Sequence, residues 1–357
     1  MNDINNILKR ENLSETEIAA LLSLNSEEDI KALFERAYSV KTDRVGRTVY
    51  YRGIIEMSNI CSKDCLYCGI RRSNSNVNRY SMTREEIIDA AVFAYRSDYG
   101  SIVLQSGEIK IPEFTEYIEG LITEIKSKTD SQLGITLSLG EQSSKTYRRW
   151  FEAGAHRYLL RIETSSRDLY GKLHPADHSY DERVKCLYKL QEAGYQTGTG
   201  VMIGLPGQTV EHLASDIAFF RDIDIDMAGM GPFIPHEDTP LKDYDIDKEK
   251  QLTLALKMIA VLRIVMQDIN IAATTALQAL DPFGREKGIM AGANVIMPNI
   301  TDRKYRDNYK LYNDKPCTDE DSDACRDCLE HRIEGLGETI GYGRWGDSKH
   351  YFNRIKR

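Results

Sequence analysis

Hydrophobic and polar residues along this chain switch repeatedly between a two-residue and a 3.6-residue period. The short runs with β-type composition predict strands at 50–58, 101–106, 134–139, 157–164, 198–203, 226–234, 271–276 and 293–297. Amphipathic segments between them predict helices that include 83–96, 146–153, 180–193, 210–222 and 248–266. Eight alternating strand–helix units favour a closed parallel barrel over an open sheet. The predicted fold class is therefore α/β, a complete (β/α)8 TIM-type barrel.

The residues before the first strand predict a helical extension. Two segments there open with Ser14 and Ser26, each followed by acidic residues in the first turn, which is the capping-box pattern of a helix N-terminus. We therefore divide the chain into a helical extension (1–48), the barrel (49–300) and a cysteine-bearing C-terminal segment (301–357) that closes the barrel.

Two predicted strands carry polar side chains where barrels usually have Val, Ile and Leu. In GITLSLG, Thr136 and Ser138 lie opposite the apolar face, and in RYLLRIET one face carries Arg157, Arg161 and Glu163. Charges sealed in a core without partners are strongly unfavourable, so we expect a hydrated chamber whose arginines bind carboxylates or other anions. The alternative is that both arginines pair with glutamates of neighbouring strands.

Composition and charge exclude several classes of protein. The 357 residues carry 47 Lys and Arg against 55 Asp and Glu, a net charge of −8. A nucleic-acid binder is not expected, since no basic stripe offsets this balance. No apolar run is long enough to span a bilayer, and the N-terminus lacks an apolar signal core, so we expect a cytoplasmic protein without a membrane partner. A content of 41% hydrophobic residues excludes disorder.

Six of the seven cysteines fall into two tight groups. The first group, Cys61, Cys65 and Cys68, follows the first strand at the end of the barrel where such enzymes place their chemistry. In a reducing compartment, clustered cysteines indicate metal ligands before disulfides. Three thiolates can hold a 4Fe–4S cluster that keeps one iron open to another ligand, whereas structural zinc usually takes four protein ligands. A zinc site and a passive cluster site remain alternatives.

This cysteine spacing, with Tyr67 before the last cysteine, resembles that of the radical S-adenosylmethionine (SAM) enzymes. Further segments, among them VLQSGE, TLSLGE, MIGLPGQT and ATTALQALDPFGRE, are similar to the HydE family of FeFe-hydrogenase maturases, a relative of biotin synthase and methylornithine synthase. The resemblance implies an enzyme with a 4Fe–4S cluster and SAM as cofactors. It further implies reductive cleavage of SAM to a 5′-deoxyadenosyl radical, which acts on a sulfur-containing, cysteine-derived substrate during H-cluster maturation.

The resemblance also assigns residues to SAM. Glu163 and Arg183 match the positions that bind the amino and carboxylate groups of SAM, which suits their charges, although Arg183 could instead lie on a solvated helix face. Ser106 replaces the first glycine of the usual Gly-Gly-Glu turn. Gly204 and Gly207 would let the backbone approach the ribose or adenine, although alone they indicate a tight turn. The implied SAM contacts are Tyr67, Ser106, Gly107, Glu108, Glu163, Arg183, Gly204 and Gly207.

The implied substrate contacts partly coincide with the inward polar residues found by alternation. They are Gln105, Thr136, Arg157, Arg161, Thr274, Thr275, Met297, Tyr309 and Tyr312. The tyrosines could equally be packing residues at the barrel mouth.

The second cysteine group, Cys317, Cys325 and Cys328, resembles a variable site for an additional iron–sulfur cluster, of the 4Fe–4S or 2Fe–2S type. Its alternative is an oxidation-prone tail. The seventh cysteine, Cys186, is expected to be a small buried apolar residue.

The partners implied by the resemblance are a small-molecule or organometallic substrate, an electron donor such as ferredoxin or flavodoxin, and other hydrogenase maturases. Two other functions remain open. One is an amino-acid mutase resembling methylornithine synthase, in which the arginines hold an α-carboxylate. The other is a non-catalytic iron–sulfur carrier, against which Glu163 and Arg183 argue.

Overall fold

The strands of the computed structural model, which describes residues 4–10, 12–316 and 329–356, form a closed parallel barrel. In chain order they are β1 (Thr48–Ser58), β2 (Ser101–Ser106), β3 (Gly134–Ser138), β4 (Arg157–Leu159), β5 (Gln196–Thr199), β6 (Met202–Ile203), β7 (Met227–Ala228), β8 (Gly231–Pro232), β9 (Asn270–Ala273), β10 (Val295–Ile296) and β11 (Thr339–Ile340). Eight of them pair in the order β1-β2-β3-β4-β5-β7-β9-β10, and β10 pairs with β1 to close the ring. The predicted (β/α)8 barrel is thus confirmed.

Only the second strand has its predicted extent. The fifth and sixth predicted strands are each interrupted, and their second halves, β6 and β8, pair with each other. The seventh ends at Ala273, since Thr275 and Ala276 belong to a helix. The fourth ends at Leu159, and Glu163 beyond it has a left-handed backbone conformation with φ of +68°. Regular pairing returns only at a single bridge between Glu163 and Val201. These interruptions lie at the carboxyl ends of the strands, where side chains must be presented to a ligand.

Helices connect the strands and cover the barrel. They are α1 (Ile4–Ile7), α2 (Glu15–Leu22), α3 (Glu27–Arg44), α4 (Arg84–Arg96), α5 (Pro112–Lys128), α6 (Ser144–Glu152), α7 (Arg167–Leu173), α8 (Tyr180–Glu192), α9 (Val210–Ile223), α10 (Lys248–Val265), α11 (Thr275–Leu280), α12 (Gly284–Met290), α13 (Arg303–Arg306) and α14 (Lys349–Arg354). The helices predicted between strands are present with shifts of one or two residues, whereas α5, α7, α11 and α12 were not predicted. Among the residues that the structure describes, no helix combines the length and apolar character needed to cross a membrane.

The N-terminal extension packs on the barrel through α2 and α3, which contact α9 and α10. Ser14 forms the complete capping box of α2 with Glu17. At α3, Ser26 caps the helix, but its hydroxyl donates to the Asp29 carboxylate. The buried side chain of Lys41 in α3 forms an ion pair with Glu338, next to β11. Because both flanking segments pack on the barrel, the division at residues 48 and 300 remains a prediction.

The residues after β11 close the end of the barrel where the strands begin. Asp347 accepts a 2.6 Å hydrogen bond from Arg157 Nη1, and Arg354 Nη2 lies 2.7 Å from an Asp226 carboxylate oxygen. The His350 ring lies between two carboxylates, with Nε2 2.7 Å from an oxygen of Asp224 and Nδ1 2.8 Å from one of Asp268. We call residues 345–354 the C-terminal plug. It leaves the opposite end of the barrel, formed by the carboxyl ends of the strands, for the site.

Candidate active site

A chamber of about 320 Å³ lies at the carboxyl ends of the barrel strands. The loop after β1 contributes the thiols of Cys61, Cys65 and Cys68 to its wall. The segments after β2 and β4 contribute Glu108 and Glu163. The strand order of the barrel therefore brings together residues that are far apart in the sequence, at the end where barrel enzymes bind their ligands.

Backbone amides and a close glycine contact hold Cys61 in place. Its Sγ accepts hydrogen bonds from the amide of Lys63 at 3.4 Å and from that of Glu108 at 3.3 Å. A Cβ atom on Gly107 would lie 2.3 Å from the carbonyl oxygen of Ile60 and 2.7 Å from the Cβ of Cys61. Position 107 must therefore be glycine, so that the end of β2 can contact the loop that carries the three cysteines.

The three thiols are suited to a cationic centre. Burial raises the pKa of Cys65 to about 12 and that of Cys68 well above its usual value, so both are neutral unless a positive charge lies beside them. Iron supplies that charge, and convergent cysteine ligands are the donors that iron–sulfur clusters use. In the described part of the chain, no three His, Cys, Asp or Glu side chains surround a position for a single metal ion. The donor set fits a cluster held by three cysteines.

Two cations and two carboxylates form a charge-balanced group beside the cysteines. Lys63 Nζ lies 3.0 Å from Glu141 and 3.4 Å from Glu108, and Arg183 Nε lies 2.7 Å from Glu141. Burial opposes ionisation of Glu141, but Arg183 and Lys63 lower its pKa below the usual value. Arg183 itself is buried, so it does not lie on a solvated helix face as the alternative held. Its guanidinium is fixed at the chamber wall.

Glu163 presents a carboxylate oxygen to the chamber without a hydrogen-bond donor. Arg161 Nη2 lies 3.1 Å from Glu163 Oε2, but this ion pair lacks hydrogen-bond geometry, and no described residue donates to that buried oxygen. Burial raises the pKa of Glu163, and Arg161, Arg183 and the neighbouring Tyr67 hydroxyl partly oppose this. An unsatisfied buried carboxylate oxygen fits a ligand that carries an ammonium group, such as the methionyl end of SAM.

Tyr67 also lines the chamber, and His174 supports it. The two rings pack edge to face with centroids 5.5 Å apart, and the Tyr67 hydroxyl lies 3.4 Å from His174 Nε2. His174 Nδ1 lies 2.9 Å from the Tyr170 carbonyl oxygen, which requires Nδ1 to carry the proton and leaves Nε2 as an acceptor. Burial lowers the pKa of His174 to about 3, so the ring is neutral near pH 7.

Most of the proposed substrate contacts lie in the chamber wall. Gln105 Nε2 donates a 3.2 Å hydrogen bond to the Tyr309 hydroxyl, which joins β2 to the segment after α13. Tyr309 is 1% exposed, so it belongs to the wall rather than to the solvent-facing rim. The proposed contacts that line the chamber are Gln105, Arg161, Thr274, Thr275, Met297, Tyr309 and Tyr312.

Arg157 and Thr136 lie deeper than expected, outside the chamber wall. The Arg157 guanidinium donates to Thr136 Oγ1 at 3.0 Å, to the Trp345 carbonyl at 2.9 Å and to Asp347. The C-terminal plug accepts hydrogen bonds from Nη1 and Thr136 accepts one from Nε, whereas Nη2 is buried without a hydrogen-bond partner among the described residues. Arg157 does not line the chamber, so the structure does not support its expected role in binding an anionic substrate. Thr136 lines a separate cavity of about 20 Å³ below the chamber. The alternative of an acidic partner is correct for Arg157, but the carboxylate comes from the plug rather than from a neighbouring strand.

Gly204 and Gly207 form a tight turn and do not line the chamber. Both have left-handed backbones, with φ of +82° and +75°. The Gly204 amide donates a 2.7 Å hydrogen bond to the side chain of Gln208, which closes the turn. The tight turn is therefore present, and the assignment of both glycines as SAM contacts stays a prediction.

Sequence reasoning missed four charged residues of the site. Lys63 and Glu141 belong to the balanced group, and Lys315 lines the chamber, where it forms an ion pair with Glu56. Glu56 shares a strand face with Arg52, so the alternation rule applied to β1 would have found it. No local signal marks Lys315, which the segment after α13 brings to the barrel.

Of the four remaining cysteines, the structure describes only Cys186. Cys186 is 3% exposed and packs in the hydrophobic core, as predicted. Cys317, Cys325 and Cys328 lie outside the described residues, so the additional cluster stays a prediction.

Comparison with known proteins agrees with this geometry. A family model described as the radical SAM superfamily matches residues 55–220. The FeFe hydrogenase maturase subunit HydE of Thermotoga maritima is 45% identical over 348 residues, which cover 98% of this chain and 97% of that protein. The crystal structure of methylornithine synthase (PylB) has a TM-score of 0.82 at 25% identity and covers 95% of this chain and 97% of its own. The X-ray structure of the maturase HydG from Carboxydothermus hydrogenoformans has a TM-score of 0.80 at 23% identity over 95% of this chain and 79% of its own, which supports the fold alone.

Proposed function

Because this chain belongs to the HydE family of radical SAM enzymes, we propose that it acts on a sulfur-containing, cysteine-derived substrate in FeFe-hydrogenase maturation. The observation that carries this proposal is that three thiols, the unsatisfied Glu163 carboxylate and the buried Arg183 cation all line one chamber. When bound, a 4Fe–4S cluster and SAM supply a 5′-deoxyadenosyl radical, and the protein binds and orients the reactants.

We assign the residues of the chamber wall as follows. Cys61, Cys65 and Cys68 hold the cluster and leave one iron for SAM. Glu163, which is also paired with Arg161, accepts hydrogen bonds from the ammonium group of SAM. Arg183 attracts the carboxylate of SAM, while Glu141 keeps the guanidinium in place. The neutral group formed by the two cations and two carboxylates tolerates a zwitterionic ligand, since it adds no net charge of its own.

Other residues of the chamber wall support the choice of substrate. Arg161 and Lys315 bring two cations to the chamber, and Gln105, Tyr309 and Thr274 add neutral polar groups. A cysteine-derived compound has an α-carboxylate for the cations and a sulfur atom that needs no hydrogen-bond partner. An iron–carbonyl–cyanide complex that carries a cysteine ligand, delivered by a partner maturase, meets the same requirements.

The partner and auxiliary assignments extend this proposal. We infer that ferredoxin or flavodoxin supplies the electron, and that Cys317, Cys325 and Cys328 hold an additional iron–sulfur cluster that SAM cleavage does not require.

SAM cleavage by the reconstituted protein tests the proposal. The protein is reconstituted anaerobically with iron and sulfide, reduced with dithionite and incubated with SAM, and 5′-deoxyadenosine is measured. We expect cleavage by the wild type and none by Cys65→Ser. Absence of 5′-deoxyadenosine in wild type with an intact cluster contradicts the proposal and supports the iron–sulfur carrier.

The substrate is tested in parallel reactions that contain a cysteine-ligated iron complex, lysine or no addition. We expect substrate-derived products only with the iron complex. Products from lysine alone support the amino-acid mutase instead, the function of the structural neighbour methylornithine synthase.

A further inference from the structure

A single arginine at the surface binds both ends of the loop that carries the three cysteines. We call residues 59–74 the cysteine loop. Arg79 Nη1 donates to the carbonyl oxygens of Asn59 at 2.6 Å and Ile70 at 2.9 Å, and its Nη2 donates to those of Arg71 at 2.6 Å and Asn74 at 3.1 Å. One guanidinium therefore joins the start of the loop to its end.

The cysteine loop has no regular secondary structure that would fix this shape. No residue of 59–74 belongs to a helix or strand. Other contacts attach the loop to its surroundings, such as the 2.8 Å hydrogen bond from the Leu66 amide to the Leu173 carbonyl. The Asn59 side chain donates to the Asn308 carbonyl at 2.7 Å. Within the loop, Asp64 accepts hydrogen bonds from Arg71 and Ser73. The contacts of Arg79 differ because they join Asn59, at the start of the loop, to residues at its end.

The chemistry of the contact requires a guanidinium. Five N–H donors in a planar fork reach several carbonyl oxygens at once, whereas the ammonium group of lysine is a single point on a flexible chain. All the acceptors given above are carbonyl oxygens rather than carboxylates.

We propose that Arg79 is a positioning residue that preforms the cysteine loop, so that the loop holds its shape before the cluster binds. This inference rests on the proposed function, because the cysteine loop is the proposed cluster site. A preformed loop does not lose chain entropy when it binds the cluster, so loss of Arg79 must weaken both the order of the empty loop and its hold on iron.

Hydrogen exchange of the cluster-free, reduced protein tests the order of the loop. The amides of Leu66, Gly69 and Arg72 report on it, because each donates to a carbonyl oxygen in the structure. We expect exchange in peptides that cover 59–74 to be about tenfold faster in Arg79→Gln and in Arg79→Lys than in wild type, with unchanged exchange in the barrel strands. Arg72→Gln is the matched control, since it removes an exposed arginine from the same loop and should leave exchange unchanged.

Release of iron from the reconstituted protein to a chelator provides a second measurement. We expect about tenfold faster release from Arg79→Lys than from wild type and Arg72→Gln. Equal exchange and equal iron release in Arg79→Lys and Arg72→Gln would overturn the inference, as would a wild-type loop that exchanges as fast as an unstructured peptide. Failure of the proposed function has a different signature, because reconstituted wild type then makes no 5′-deoxyadenosine whatever the exchange rates are.

Discussion

Substitution of Gly107 by alanine probes how closely the end of β2 must contact the cysteine loop. The added Cβ would lie 2.3 Å from the Ile60 carbonyl oxygen, where ordinary contacts begin at 3.4 Å, so the two backbones must separate by about 1 Å. Because the Glu108 amide donates to Cys61 Sγ, this shift moves the thiol away from its donor. A displacement of about 1 Å in a positioned site lowers rates about 100-fold. We expect that loss in 5′-deoxyadenosine formation per bound cluster.

The assay uses anaerobically reconstituted protein, and the rate is divided by the iron content. Gly171→Ala is the control, because no atom lies within 4 Å of the added Cβ and alanine favours the helix α7. This control should cleave SAM at the wild-type rate. Cleavage by Gly107→Ala within about threefold of wild type, with full iron content, would refute the argument from close contact.

Four further predictions concern the plug, the core, the chamber and the tail. Burial opposes the charge of His350, but Asp268 and Asp224 raise its pKa. The stabilisation by the charged ring is therefore complete below about pH 6.5 and is lost as pH rises through the raised pKa. The melting temperature of His350→Gln should approach that of wild type as pH increases. Burial raises the pKa of Asp216 to about 7. The free energy of unfolding of wild type, measured in urea titrations, should therefore fall relative to that of Asp216→Asn between about pH 4 and pH 7. An equal pH dependence of the two proteins would contradict this. Arg161→Met should raise the KM for substrate, because Arg161 lines the chamber. Arg157→Met should lower the melting temperature and leave KM unchanged, because Arg157 binds the plug. The reverse result would show that Arg157 contacts the substrate. Cys325→Ser should retain SAM cleavage, and loss of cleavage in the folded variant would give the second cysteine group an essential role.

Local patterns were sufficient for the architecture and for much of the chamber wall. Alternation along a strand depends only on backbone geometry, so it correctly turned Ser138 toward the lumen. Arg161 and Glu163 also line the chamber, but they lie beyond the end of β4, where strand alternation no longer applies. Alternation does not predict how deep along the barrel axis a side chain lies. Arg157 has the same parity as Arg161, but the distant Asp347 fixes it in the plug.

Contacts between distant segments account for the remaining errors. Lys315 reaches the chamber from a loop, and Lys63 meets Glu141 only after the barrel closes. The left-handed backbone of Glu163 is not marked by a glycine in the sequence. These features follow from tertiary structure rather than from the pattern of any one segment.

In the described part of the chain, the C-terminal plug blocks one end of the barrel axis. Arg157 contacts Asp347 and Trp345 there, and the cavity that Thr136 lines beneath the chamber holds only about 20 Å³. A reactant that follows the barrel axis therefore enters and leaves at the opposite end, beside the cysteine loop and Tyr312. Along this route, a molecule that binds deep in the chamber has to enter before one that binds nearer the mouth.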